Sequence, residues 1–343
     1  MADFQSISKD NKLAIVGELL EKNLKVEEKE VTIKGGGKEK TLTCREISKI
    51  DFKNPSLLVR VEDENGVNDI KIDTYPIAEF RLDADGKKVE NSTFKSMLEV
   101  VNNITSKAEN GEKGDTVSVS AYLGLNEYAS AKDGKNYEFI SFPQTYVQWG
   151  VSASNAEPMA EGTVTGIIKN IKREVKVTND DEDETGRLEV MFYTFNYGGK
   201  VQPIKFIVDE DLADDFEDAF DEGDQTTLSY TIVKRHVGGK TKKAVAFGRA
   251  SRVSTGFDVE EFVIIGGETA MDDDNAKYVS SKELKEAIAE RKNYIDQKIE
   301  DKKEYDANNK GGANNVPSKS KGLGRKASVD DDFEDNDSDE LPF

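Results

Sequence analysis

Hydrophobic residues along this chain recur at two spacings, and the change from one to the other marks its elements. Over 9–24, Leu13, Val16, Leu19, Leu20 and Leu24 fall at helical intervals, which predicts an amphipathic helix running through Gly17. Beyond it the spacing drops to two. Alternating runs at 25–33 and 41–50 flank Gly35, Gly36 and Gly37 as one hairpin, and runs at 57–62 and 67–73 flank Asn65 and Gly66 as another, Asn-Gly being the pair best suited to a two-residue turn. Helical spacing returns at 92–109 through Phe94, Met97, Leu98, Val101 and Ile104. Strands follow at 115–125 and 136–149, joined across Asp133 and Gly134.

After a polar break at 152–158 the same order repeats. Strand-like runs occupy 161–177, 187–197 and 201–208, an acidic helix-like run 210–222, and further strands 225–235, 242–253 and 259–265. The joints match best: Gly114-Asp115 leads into one strand and Gly223-Asp224 into another, 109 residues apart, and a Gly-Lys turn follows each, at Gly134-Lys135 and Gly239-Lys240. This is the signature of an internal duplication.

Short strands with one helix late in each unit predict a mainly β protein with some α, built as two OB-like Greek-key barrels; two β-sandwiches would not call for the helix. The expected domains are an N-terminal helix (1–24), a first OB-like domain (25–153), a second (154–265), a C-terminal helix (266–306), a flexible linker (307–328) and a disordered acidic tail (329–343). Ser280 and Glu283 form a capping box for the last helix, and its seam of Leu284, Ile288, Ile295 and Ile299 is expected to pack on the second barrel rather than to form a coiled coil. The linker is rich in Asn, Gly, Ser and Lys, and the tail has too few apolar residues to fold.

Composition then narrows the chemistry. The net charge of -20 argues against a polyanionic partner, but the acids are segregated. Three runs without a base, 180–184, 209–224 and 329–343, hold five, ten and eight of them; without these 23, 45 acids face 48 bases. The first two runs are expected to face away from any nucleic acid. No apolar stretch approaches the roughly 18 residues of a membrane span, and the N-terminus has no signal-peptide pattern, so a soluble cytoplasmic protein without membrane association is expected. The single cysteine, Cys44, and single histidine, His236, exclude an internal disulfide and argue against a zinc site. Around Gly238-Gly239-Lys240-Thr241 a phosphate loop would need glycine where Lys234 stands, so a hairpin turn is expected. From Asp181 the twelfth position is Phe192 rather than a calcium-binding Glu, so 180–184 reads as a solvated loop. No catalytic motif emerges, and neither enzyme activity, metal nor cofactor is expected.

What remains is an interleaving of aromatics and cations along the strands. In the first unit these are Arg60, Lys71, Tyr75, Tyr122, Tyr128, Lys132, Lys135, Tyr137, Phe139 and Trp149. In the second they are Lys169, Lys172, Arg173, Lys176, Arg187, Tyr193, Phe195, Tyr197, Lys200, Lys205, Lys234, Arg235, Lys242 and Lys243. Binders of single strands need both kinds, because bases stack on rings whatever their identity while cations follow the phosphates. Most strand aromatics belong to cores, so the signal lies in the group.

The chain ends Asp339-Glu340-Leu341-Pro342-Phe343, an apolar tip after an acidic run that can enter a partner's pocket with its carboxylate paired to a cation. This ending resembles that of bacterial and phage single-stranded DNA-binding proteins, with Glu340 where the bacterial pattern usually has Asp. The resemblance implies an OB-fold protein that coats single-stranded DNA without strong sequence preference and recruits replication, recombination and repair proteins through Asp339 to Phe343. Two units in one chain depart from the bacterial form, which has one OB domain per chain and assembles as a tetramer, and suggest a phage-encoded or divergent member. The alternatives are a β-rich phage structural or protein-interaction module with an acidic partner peptide, and a strand-annealing or recombination-mediator protein.

Overall fold

The computed structural model describes residues 4–64, 66–132, 136–178, 181–237 and 257–309. The chain divides into two units, one formed by 1–125 and 143–293, the other by 126–142 and 294–343.

The first unit opens with a short helix, α1 (Phe4–Lys9), followed by β1 (Lys12–Lys22). The helix expected over 9–24 is therefore a strand. Leu13, Ile15 and Leu19 point inward at intervals of two, while Val16 and Leu20 are covered on the other side. A strand buried on both faces has a continuous apolar run, whose spacing does not separate it from a helix. Gly17 supplies the local reason: a Cβ there would lie 2.1 Å from the Arg60 carbonyl oxygen.

Next come the hairpin β2 (Leu24–Gly35) and β3 (Lys38–Lys49), paired from Leu24 opposite Lys49 to Gly35 opposite Lys38, and the hairpin β4 (Leu57–Asp63) and β5 (Gly66–Asp73). Short strands β6 (Ile77–Ala78), β7 (Phe80–Leu82) and β8 (Lys88–Glu90) lead to α2 (Ser92–Asn103) and α3 (Lys107–Asn110). The single helix expected over 92–109 is thus broken. Lys22 ends its first part by donating to the carbonyls of Val100, Val101 and Ile104, groups with no partner inside the helix. Strands β9 (Thr116–Ala131) and β10 (Tyr137–Ala153) complete the first half.

The second half holds β11 (Met159–Thr178), β12 (Asp181–Phe195), β13 (Val201–Val208), α4 (Glu210–Ala219), β14 (Gln225–Val237) and β15 (Phe257–Gly267). The acidic residues from Asp181 to Glu184, expected in a solvated loop, are strand, paired with Val175 to Thr178. The expected strand at 242–253 and the Gly238–Thr241 turn lie outside the described residues.

Each half closes a ring of five strands. The first runs β1, β4, β5, β10, β9 and back to β1, antiparallel from β1 to β4, β4 to β5 and β9 to β1, and parallel from β5 to β10. The second runs β11, β12, β13, β15, β14 and back to β11, again with one parallel contact, β13 to β15. In both, a helix separates the third ring strand from the fourth. The repeated joints are equivalent, since Leu19 of β1 donates its N–H to the Asp115 carbonyl (2.9 Å) and Ile168 of β11 to that of Asp224 (2.8 Å). Phe94, Met97 and Val100 of α2 join the core with Ile15, Val59, Ile70 and Val119, and Ala213 and Phe216 of α4 join it with Phe192, Phe206, Tyr230 and Phe262. Residues Lys12–Val16 of β1 pair with Met159–Thr163 of β11, which splices the two rings into one sheet.

The last helix, α5 (Ser281–Asn309), starts at the expected capping box, where Glu283 accepts from the Ser280 N–H and hydroxyl. Leu284, Ala287 and Ile288 pack with Tyr193, Phe195 and Val201 of the second half, as the seam predicts for its first part, and also with Ile7 of α1. In the second unit, Tyr294 meets Phe139 edge to face at 6.3 Å, and the Tyr137 hydroxyl donates to Asp306 at 3.3 Å.

Candidate functional site

Strand β5 delivers Tyr75 just past its end, β10 carries Tyr146 opposite Asp73, and β9 carries Tyr122. Tyr75 and Tyr146 stack at 5.1 Å with planes 5° apart, and Tyr122 stacks on Tyr146 at 5.5 Å and 24°. Burial holds the Tyr122 and Tyr146 hydroxyls above the ordinary phenol value, and the hydrogen-bonded Tyr75 hydroxyl adds to this.

Tyr122 also lines a cleft of about 410 Å3 with Trp149, Tyr197 and Phe195. Trp149 is 67% exposed and Tyr197 64%. Polar side chains of Ser8, Asn11, Gln148, Asn196 and Gln202, and the Lys9 ammonium, complete the wall. Asn11 is held rigidly, donating to the Leu123 carbonyl (2.6 Å) and accepting the Leu123 N–H (3.1 Å). Asn196 accepts the N–H groups of Gly198 and Lys200, which shapes the turn presenting Tyr197. Flat rings, amides and a nearby cation can stack and hydrogen-bond planar heterocycles linked by an anionic backbone. No residue of 209–224 lines this cleft.

Several expected contacts are engaged elsewhere. Phe195 is fully buried against Phe4 and Tyr193 is 7% exposed, both in the core under α1 and α5; although Phe195 reaches the cleft wall, neither ring has a free face to offer a strand. Arg187 is also buried, bonded to Asp209 (2.8 Å) and Glu261 (2.6 Å) and paired with Glu174 (3.5 Å), so its charge is spent inside the fold. Arg60 is bound by Asp69, Arg173 by Asp214 and Glu217, Lys205 by Glu189, and Arg235 lies 3.6 Å from both Glu174 and Glu261. Lys71, Lys132, Lys169, Lys172, Lys200 and Lys234 are exposed.

Tyr128, Lys132, Tyr137 and Phe139 belong to the second unit, where Tyr128 meets Phe142 edge to face at 6.4 Å. The Lys176 side chain, Lys135, Lys242, Lys243 and the tail residues Asp339, Glu340, Leu341, Pro342 and Phe343 lie outside the described residues. Tyr146 was not among the expected contacts, yet it joins Tyr75 to Tyr122. Its signal was the alternating row Gln144, Tyr146, Gln148, an aromatic between two amides at intervals of two, although Tyr146 itself is buried between its two neighbouring rings.

Among the described residues, no group of His, Cys, Asp and Glu is placed to hold a metal ion, and no helix is long and apolar enough to cross a membrane. Solved structures of the single-stranded DNA binding protein from Thermus aquaticus are similar at low identity. The wild-type form matches at 11% identity and a TM-score of 0.37, covering 79% of this chain and 97% of its own, and a deletion variant at 10% and 0.36, covering 78% and 98%. No curated protein matches the sequence. The match to the YorF family extends over residues 9–303, and the chain belongs to that family.

Proposed function

We propose that this protein binds single-stranded DNA through two OB-like barrels, without enzymatic activity. The observation that carries the reading is the set of exposed rings Tyr75, Trp149 and Tyr197, the first stacked on the buried Tyr146 and so joined to Tyr122, which continues into the cleft with the other two. Rings as exposed as Tyr75, Trp149 and Tyr197 gain little from the core, whereas each base stacked on one contributes about 1–3 kcal/mol. The OB-like reading is supported by the two five-strand rings, each with a parallel closure and a helix between its third and fourth strands. The acidic ending Asp339 to Phe343 supports a role in recruiting replication, recombination and repair proteins, and a cytoplasmic location with DNA follows from that role.

Trp149 is the only tryptophan in the chain, so its fluorescence reports directly on the cleft. Titration with oligo(dT) should quench it, and added salt should reverse the quenching. Unchanged emission together with no complex on a gel would overturn the reading and favour a β-rich protein-interaction module. Deleting 329–343 should leave oligo(dT) binding intact while abolishing partner capture.

A further inference from the structure

Gln148 and Trp149 reach the cleft of about 410 Å3 from β10 of the first ring, and Asn196, Tyr197 and Gln202 reach it from β13 of the second ring and the turn before it, all within the first unit. Both exposed rings stand on fixed backbone. After Trp149 the chain passes through Gly150 at a φ of 142°, where a side chain would run into the Ser96 hydroxyl. That hydroxyl donates to the Val151 carbonyl (2.7 Å) and accepts the Val151 N–H (2.9 Å). Beside Tyr197, the Gly199 N–H closes the turn onto the Asn196 carbonyl at 2.9 Å. A cleft formed before its ligand arrives avoids much of the ordering cost of binding.

Its polar groups define that ligand. The Gln148 and Gln202 side chains are half-buried and make no hydrogen bond among the described residues, so each offers a carbonyl acceptor beside an N–H donor. The pairing edge of a nucleobase presents the complementary groups side by side, and its ring suits the flat faces of Trp149 and Tyr197. An apolar peptide side chain would leave both amides unsatisfied. The described lining residues include a cation, Lys9, and no acid, which suits a base carried on an anionic chain.

We infer that the cleft takes one unpaired nucleobase, stacked against Trp149 and Tyr197 with its pairing edge hydrogen-bonded by Gln148 and Gln202, where a single strand passes from the first ring to the second. An amide turned over exchanges its donor and acceptor, so the cleft selects a free pairing edge whichever base carries it, and excludes a base already paired. That the base belongs to a DNA strand rests on the function proposed above.

The test compares oligo(dT) with an oligomer of N3-methylthymidine, which keeps the rings and phosphates but blocks the pairing edge, by fluorescence anisotropy of the end-labelled oligomers with full-length protein. The unaltered protein should bind the methylated oligomer about two- to ten-fold more weakly, the effect of losing one neutral hydrogen bond. With Gln148→Met and Gln202→Met together the two oligomers should bind alike, whereas Gln144→Met, on β10 outside the cleft, should keep the difference. Each protein is its own reference, so a fraction that fails to fold does not enter the comparison. Equal binding of both oligomers to the unaltered protein would overturn the inference and leave stacking alone to hold the strand. A difference that survives in the double variant would place the edge contacts elsewhere and overturn it too. A difference untouched by Gln202→Met alone would confine the strand to the first ring, against the crossing. If neither oligomer binds, the proposed function itself fails.

Discussion

Tyr75 and Tyr146 lie face to face, with ring centroids 5.1 Å apart and planes 5° from parallel, although one follows β5 and the other sits within β10. The parallel pairing that sets Tyr146 opposite Asp73 brings them together. The ring closure that completes the core thus also assembles the aromatic face.

Tyr75 is 61% exposed, so its ring can be removed at little cost to the fold. Tyr75→Ala should weaken oligo(dT) binding by about 1–3 kcal/mol, the contribution of one stacked base. Tyr75→Phe keeps the ring and should bind nearly as the unaltered protein does. Equal weakening in both variants would point to the hydroxyl instead of the stack. Trp149 fluorescence titration separates the two.

Arg187 should matter to stability alone. Its side chain is 10% exposed, beside Glu261 at 12% and Glu174 at 18%, so Arg187→Met would leave two largely buried carboxylates sharing only the more distant Arg235, 3.6 Å from each. Denaturant unfolding should show a loss of about 3–5 kcal/mol, partly recovered when Glu174→Gln and Glu261→Gln are added. The oligo(dT) affinity of the folded fraction should not change; a selective loss of affinity would return Arg187 to the binding face.

The Arg60 guanidinium, hydrogen-bonded to Asp69, holds that carboxyl below its ordinary value against the opposing effect of desolvation. A depressed carboxyl contributes stability above its unfolded value and loses it as pH falls through the folded one. Arg60→Gln should therefore be less stable at neutral pH, by under about 1 kcal/mol for so accessible a pair. The difference should close in acid as Asp69 becomes protonated in both proteins. Unfolding midpoints across the acidic range check this, and a gap that widens in acid would contradict it.

Gly17→Ala distinguishes strand from helix at the start of the chain. In a helix the change would stabilise by about 1 kcal/mol. In β1 the new Cβ would meet the Arg60 carbonyl oxygen at 2.1 Å, and crowding of this kind costs about 1–3 kcal/mol. Thermal unfolding should give a lower midpoint; a higher one would be incompatible with the β1 to β4 pairing.

Much of the architecture was legible because it is local. Gly66 takes a positive φ of 107° at the start of β5, as the Asn-Gly turn requires, and Ser280 with Glu283 caps α5 through contacts three residues apart. Gly114 and Gly223 marked equivalent joints because a duplicated chain repeats its turns. The same reasoning failed at 9–24, where apolar residues on both sides of β1 concealed the interval of two, and at 104–106, where Lys22 from β1 terminates α2.

The candidate site was legible as a class of residues and not as a set. Phe195 and Tyr197 stand two positions apart in similar surroundings, yet Phe195 is fully buried and Tyr197 is 64% exposed. Phe195 is the last residue of β12, covered by α1, whereas Tyr197 lies in the turn beyond the strand. By itself the amino-acid order determined most of the strands after β1, the turns between them, the repeated plan and the segregation of charge, since each depends on neighbours along the chain. Only the tertiary structure decided which rings face outward and which cations are already neutralised, because exposure and ion pairing are set by what another strand or helix brings against a residue.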